Sequence, residues 1–206
     1  MAIAAGALAI GLVGAMPNGP GPIDGEQIKE IARHVHSRHG SAVWTTLLTS
    51  RTDGEAIADH IDATGANTVQ IVDAVAPQVY EIIRKAHRDL RIIQVIHVED
   101  ARSIDQARVV AAHVDAILLD SGKPSAAVPT FGGTGQTHDW SLSRKIVEAV
   151  DVSVFLAGGL TPENVADAVA TVRPFGVDIC SGLRDKANGY ALIPEKLAVF
   201  ANALGS

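Results

Sequence analysis

Cysteine occurs once in the 206-residue chain, as Cys180, which rules out a disulfide within it. The paired cysteine spacing of a structural zinc site is missing too. Basic runs are also lacking: no Lys/Arg block exceeds two residues, and the formal net charge is -6. A chain of that charge has no electrostatic footprint for a nucleic-acid backbone. Nor is there a run of apolar residues long enough to span a bilayer. The candidate, "MAIAAGALAIGLVGAM" at 1–16, is too short and lacks the positively charged start of a secretory signal. It is expected to be a helix end running into a buried strand, in a cytoplasmic protein.

What the chain does have is apolar content, 47% against 19% charged, enough to bury a sizeable core as one domain over 1–206. Aliphatic and β-branched runs recur at 7–14, 42–49, 68–73, 91–98, 114–120, 152–159 and 176–182, seven expected strands. Between and after them, helical periodicity covers 25–38, 54–64, 76–87, 103–113, 141–150, 162–172 and 194–204. Near-continuous apolar strands such as "AILLD" and "VFLAGG" suit a parallel sheet covered on both faces. The alternation leaves an α/β barrel or an open doubly wound sheet. In "LTPEN", Thr161 reads as an N-cap with Pro162 at the first helical position. Asp139 in "HDWS" reads as a second cap.

In parallel α/β folds the loops after the strands form the active face. Three such loops are built around glycine: "FGGTGQT" with Gly132, Gly133 and Gly135, "AGGLTPEN" with Gly158 and Gly159, and "CSGL" with Ser181 and Gly182. A glycine lets its own N–H approach a ligand closely, and a following helix N-terminus adds free N–H groups and a favourable dipole. Such loops suit a phosphate, although one glycine pair alone is as readily a tight turn. Asp120 ends the strand "DAILLD" at the same rim, as an acid or as a turn aspartate. His97 and Glu99 alternate at another strand end, permitting a base or a metal ligand. Cys180 reads as buried and inert, His138 as a solvated loop residue, Lys123 as an exposed loop cation, and Asp73 and Asp178 as structural. The histidines of "HVHSRH" fall on a helix and its end, far from the strand rims, and read as a solvated face. Trp44 and Trp140 read as packing residues.

"GGTGQTHDWSL", "FLAGGLTPENVADAV" and "RPFGVDICSGL" together resemble phosphoribosylanthranilate isomerase, the tryptophan-pathway (β/α)8 barrel. The likeness is dense over 114–183 and thinner elsewhere, and extends to "AAGALAIGLVG", which resembles the family's first helix end and second strand. The resemblance implies a TIM (β/α)8-type barrel of which seven strands are visible here, the first being expected to be missing. It also implies a small phosphorylated sugar-type substrate, held at Gly132, Gly133, Gly135, Gly158, Gly159, Ser181 and Gly182. Asp120 stands where the family has its general acid, in an Amadori rearrangement that opens the furanose ring and moves the C2′ proton. No metal or cofactor is implied.

Three departures accompany the likeness. The family's base, a cysteine in a "KxCG"-type motif on the first strand, is not found. Gly21 of "NGPGPI" stands where the family has an arginine that clamps the anthranilate carboxylate, and "VQIVD" replaces a "VQLHG"-like stretch. Three functions stay open at this point: this isomerase, a paralogue acting on another phosphosugar, or a non-catalytic phosphate-ligand binding protein. A sheet of seven strands has an edge to protect, which predicts a homodimer across it.

Overall fold

A computed structural model of the chain describes residues 1–16, 21–122, 137–185 and 187–205. A 3-10 turn at Ile3–Ala5 leads into β1 (Ala9–Val13), and β–α alternation then runs to the end. The other strands of the main sheet are β2 (Trp44–Thr49), β3 (Thr68–Ile71), β4 (Arg91–His97), β5 (Ala116–Asp120), β6 (Ser153–Leu156) and β7 (Gly176–Val177). The helices are α1 (Gly25–His39), α2 (Gly54–Thr64), α3 (Pro77–Ala86), α4 (Arg102–Ala111), α5 (Trp140–Ala149), α6 (Val165–Val172) and α7 (Pro194–Ala203).

The strands pair in sequence order, β1 to β7, every pair parallel. Consecutive neighbours joined by helices on one side are the arrangement that right-handed crossovers build, and it curls a sheet toward a barrel. Ring geometry records the curl. Trp44 on β2 and Phe155 on β6 lie four strands apart, about 19 Å along a flat sheet at the usual strand spacing. Their ring centroids are nevertheless 6.0 Å apart, edge to face. Arg91 at the foot of β4 lies over the Trp44 ring, 4.7 Å from its centroid, closing the same end of the interior.

Alternation along each strand separates two cores. Ile71, Ile92, Ile96, Ile117, Leu119 and Leu156 face the helices and join Ile28, Ile57, Ile83 and Ile146 in the main cluster. Ile93, Val95, Ala116, Leu118 and Ala157 face inward as a smaller cluster with Trp44, Val72 and Phe155 beside it. His97 and Asp120 continue the inward alternation at the carboxyl ends of β4 and β5. That places them at the mouth of the curled sheet.

Helix starts carry their chemistry in side chains. Asp24 and Gln27 form a reciprocal capping box on α1, Asp53 accepts the Ala56 N–H at 2.8 Å, and Asp139 accepts the Ser141 N–H at 2.8 Å. Regular α6 begins at Val165 after three turn residues, and Thr161 caps that entry as expected, its Oγ1 accepting the Glu163 N–H at 3.3 Å and its carbonyl the Val165 N–H at 3.1 Å. Asn164 bridges that turn, accepting the Thr161 N–H at 2.8 Å and donating to the Gly159 carbonyl at 3.0 Å. The loop is thereby tied to the helix entry.

β7 is also shorter than the expected strand over 176–182: regular pairing ends at Val177, and Ser181–Leu183 forms a 3-10 turn. At Gly176 a Cβ would meet the Phe155 ring at 2.9 Å, so only bare backbone passes there. A short antiparallel hairpin absent from the sequence reading follows, β8 (Arg184–Asp185) with β9 (Ala191–Leu192). β1 and β7 are the edges of the sheet, and among the described residues no strand joins them. α7 packs against the Ile3–Ala5 turn, so the helical layer comes round to meet the start of the chain. Among the described residues no helix is long and apolar enough to cross a membrane.

Candidate active site

The carboxyl ends of β4 to β7 gather a set of polar groups on the inner face. Asp120 is 9% exposed. It stands opposite His97 in the β4–β5 register, with His97 Nδ1 3.8 Å from its Oδ2. Glu99, two residues on, is exposed, so the pair anticipated at this strand end divides, His97 toward the mouth and Glu99 to the surface.

Ser121 follows Asp120 and is 7% exposed. Its Oγ is buried with no hydrogen-bond partner among the described residues. The loop after β6 passes directly over it: a Cβ on Gly158 would lie 2.7 Å from the Ser121 nitrogen and 2.8 Å from its Oγ. Gly158 and Gly159 hold φ of +81° and +65°, the left-handed region that favours glycine. The loop therefore needs its glycine pair for two reasons, conformation and close approach. Gly182 in turn packs against the Leu160 carbonyl so tightly that a Cβ has no room there. The second and third glycine loops thus meet, with Ser181 and Gly182 on one side and Gly158 and Gly159 on the other. Gly132, Gly133, Gly135 and Lys123 lie outside the described residues.

His138, read from sequence as a solvated loop residue, is instead half-buried ahead of α5 and bonded through Nε2 to Ser143 Oγ at 2.6 Å. Burial pulls its pKa down, opposed by the negative charges of Asp120 and Asp139. Asp178 lies just past β7, where its N–H extends the ladder by donating to the Leu156 carbonyl at 2.8 Å. Alternation from the inward Gly176 turns its side chain to the mouth as well. Crowding by surrounding protein, then the negative charge of Asp120, pushes its carboxyl up to about 6. The side chain is nonetheless open to solvent, and water reaching it tempers the first cause more than the second. Asp178 thus belongs with the site, where sequence alone read it as structural. Cys180 needs a similar correction: it is exposed, not buried. Asp73 uses its backbone carbonyl, accepting from Gln94 Nε2 at 3.0 Å.

No group of three or more His, Cys, Asp or Glu side chains able to hold a metal occurs among the described residues. In "HVHSRH", His36 is bonded to Thr45 Oγ1 at 3.0 Å, a link between α1 and β2. Sequence reasoning missed Asn164, Ser121 and Asp178. An asparagine three residues after a threonine is a local signal for the first; the other two carry none, since Ser121 is marked only by the Gly158 loop passing over it and Asp178 only by the curl of the sheet.

A curled parallel α/β sheet with carboxylates and glycine loops at the carboxyl ends of its strands defines a barrel-type protein with its site at the mouth. Comparison with known proteins narrows this. The family model for N-(5'phosphoribosyl)anthranilate (PRA) isomerase matches residues 49–189. N-(5'-phosphoribosyl)anthranilate isomerase 2 of Methanosarcina mazei is 38% identical over 191 residues, covering 92% of this chain and 81% of that protein. The crystal structure of phosphoribosyl anthranilate isomerase from Thermotoga maritima superposes with a TM-score of 0.77 at 28% identity, covering 100% of this chain and 92% of that one. A further structure of phosphoribosyl anthranilate isomerase, in complex with reduced 1-(o-carboxyphenylamino)-1-deoxyribulose 5-phosphate, has a TM-score of 0.74 at 26% identity, with 100% and 91% covered. The chain belongs to the N-(5'-phosphoribosyl)anthranilate isomerase family.

Proposed function

We propose that the protein isomerises N-(5'-phosphoribosyl)anthranilate to its 1-deoxyribulose 5-phosphate product, as a single cytoplasmic domain over 1–206. The observation that carries the reading is the placement of Asp120, a carboxyl group on the inner rim whose next residue touches the Gly158 loop. A phosphorylated sugar held at Gly158, Gly159, Ser181 and Gly182 would present its ring beside that carboxyl. Gly132, Gly133 and Gly135 are assigned to the same phosphate on the family resemblance.

Asp120 then gives its proton to the furanose ring oxygen. The C1′–O bond breaks, and the anthranilate nitrogen lone pair forms the C=N bond of a protonated Schiff base. Removal of the C2′ proton sends the C–H electron pair into C1′=C2′, and the C=N pair returns to nitrogen. The enol so formed ketonises as its hydroxyl proton leaves and C1′ takes one from solvent. Only proton transfers are needed, and positioned acids and bases typically supply 10²–10⁴-fold each.

Gly21 at the place of the family's arginine favours a second reading, in which the phosphosugar site is kept for another aglycone. Loss of anthranilate fluorescence on adding phosphoribosylanthranilate to purified protein separates the two. Turnover that Asp120→Asn abolishes, with binding of the reduced product analogue retained, supports the isomerase. Tight phosphate binding without turnover supports the second reading.

A further inference from the structure

We infer that His97 is a positioning residue that supplies the proton Asp120 delivers, so that a histidine–aspartate pair sharing one proton stands behind the acid; this rests on the isomerase reading above. A carboxylic acid alone is ionised at neutral pH, whereas imidazole is the side chain that gains and loses a proton there. An acid that must be protonated for each turnover therefore needs such a neighbour. The backbone holds the two together. His97 and Asp120 are partners in the β4–β5 register, and the ladder runs one bond further, Val98 N–H donating to the Asp120 carbonyl at 3.0 Å. Ser103 Oγ donates to the His97 carbonyl at 3.4 Å, which ties that strand end to α4. His97 Nδ1 faces Asp120 Oδ2 at 3.8 Å, with the two side chains 9% and 12% exposed. A shift of about 1 Å closes that separation to a hydrogen bond, an adjustment of the kind active sites make when substrate binds.

Water at the mouth decides where the shared proton sits. The open mouth tolerates charge, with the proton on the imidazole and Asp120 ionised. A bound sugar excludes that water, and an enclosed pair is favoured in its uncharged form because desolvation penalises both ions. The proton then passes from Nδ1 to Oδ2, and Asp120 is protonated when the ring oxygen needs it. As the ring opens, the carboxyl O–H bond breaks and the sugar O–H bond forms. Asp120 is left ionised beside a neutral imidazole, and His97 takes a proton from the water that returns as product leaves. Asp120 is thus charged and protonated in turn, never at once. The other groups around the pair do not fill this role. His138, ahead of α5, is bonded through Nε2 to Ser143 Oγ, and burial weakens its hold on a proton. Asp178, past β7, adds negative charge on the far side of Asp120, which favours a proton in the pair. Glu99 after β4 and Asp139 before α5 are exposed, and Asp100 is paired with Arg102 at 2.6 Å.

The test uses the whole chain with phosphoribosylanthranilate. His97→Gln keeps a polar side chain but carries no proton to give, and it is expected to lower kcat at least roughly 10²-fold near pH 7.5. Affinity for the reduced product analogue should change by less than about threefold, which also confirms a folded site. The loss should shrink toward about pH 5, where solvent protonates a carboxylate directly. A merely structural role would lower the rate equally at every pH; that outcome, or full activity in His97→Gln, overturns the pairing. A readout independent of turnover is the His97 ring resonance, assigned by its absence in His97→Gln. In Asp120→Asn it should titrate differently from wild type, because coupled sites titrate as a pair. Identical titrations overturn the shared proton whatever the activity. A wild-type chain without turnover, whose His97 titration still depends on Asp120, removes the isomerase reading and leaves the shared proton standing.

Discussion

Gly159 shows how one residue joins local conformation to ligand chemistry. Its φ of +65° costs a side-chain-bearing residue about 1–2 kcal/mol, and its carbonyl is already committed to Asn164. Gly159→Asp adds a carboxylate to that strain in a loop proposed to hold an anion. Affinity for inorganic phosphate, followed by titration calorimetry, should fall at least about tenfold; unchanged affinity would remove this loop from the site. Asp178 carries a stability consequence. Its folded pKa of about 6 lies above the unfolded value, so between roughly pH 4 and pH 6 the folded state binds more protons. Stability from this group is present below that window and lost as pH rises through it. Asp178→Asn should therefore melt higher than wild type above pH 6, with the gain vanishing toward pH 4. A lower melting temperature at pH 7.5 would show that the ionised carboxylate is stabilising after all.

At the scale of elements, the junction of β3, β4 and α3 depends on Gln94. The residue faces the helices from the middle of an aliphatic strand and is buried. Its Nε2 donates to the carbonyls of Ile71, Val95 and Asp73 at 3.0–3.1 Å, and its Oε1 accepts from Tyr80 OH at 2.8 Å. Burial pushes the Tyr80 phenol up to about 12, so it remains a donor at any working pH. Gln94→Leu keeps the volume but strands the Tyr80 hydroxyl and the two carbonyls that close β3. It should cost roughly 2–4 kcal/mol in denaturant unfolding, and Tyr80→Phe about 1–2 kcal/mol. A cavity of about 360 Å³ beside this junction, lined in part by Val75, Val109 and Val110, limits how well the leucine can repack.

Among the described residues the sheet has an open side. β1 and β7 are sheet edges, and apolar side chains stand at their amino ends: Leu8 before β1 is 70% exposed and Phe175 before β7 is 64% exposed. Unpaired edges flanked by apolar groups favour association of copies. A homodimer across this opening is expected. Sedimentation should give twice the chain mass of 21.5 kDa, and Phe175→Lys should shift it toward monomer. A wild-type chain that sediments as a stable monomer would refute the association.

Much of the fold was legible because its signals are local. Apolar runs punctuated by Asp and Pro at helix starts located the strands of the main sheet and its helices within a few residues. β7 came out shorter because the chain leaves the ladder for the Ser181–Leu183 3-10 turn, which the apolar run over 176–182 does not reveal. The β8–β9 hairpin had a signal in "NG" at 188–189, obscured by the apolar residues around it. Asp120 and the second and third glycine loops could be located on the rim from sequence, because strand ends and glycine pairs are sequence features. Asp178 was not, since a carboxylate after a two-residue strand looks structural until curvature brings it beside Asp120. By itself the sequence determined the order of elements and the two-faced strands, both consequences of local propensity and periodicity, and its glycine-loop motifs carried the family resemblance. The tertiary structure alone decided which side chains meet across the mouth, because strands that are not neighbours approach only when the sheet curls.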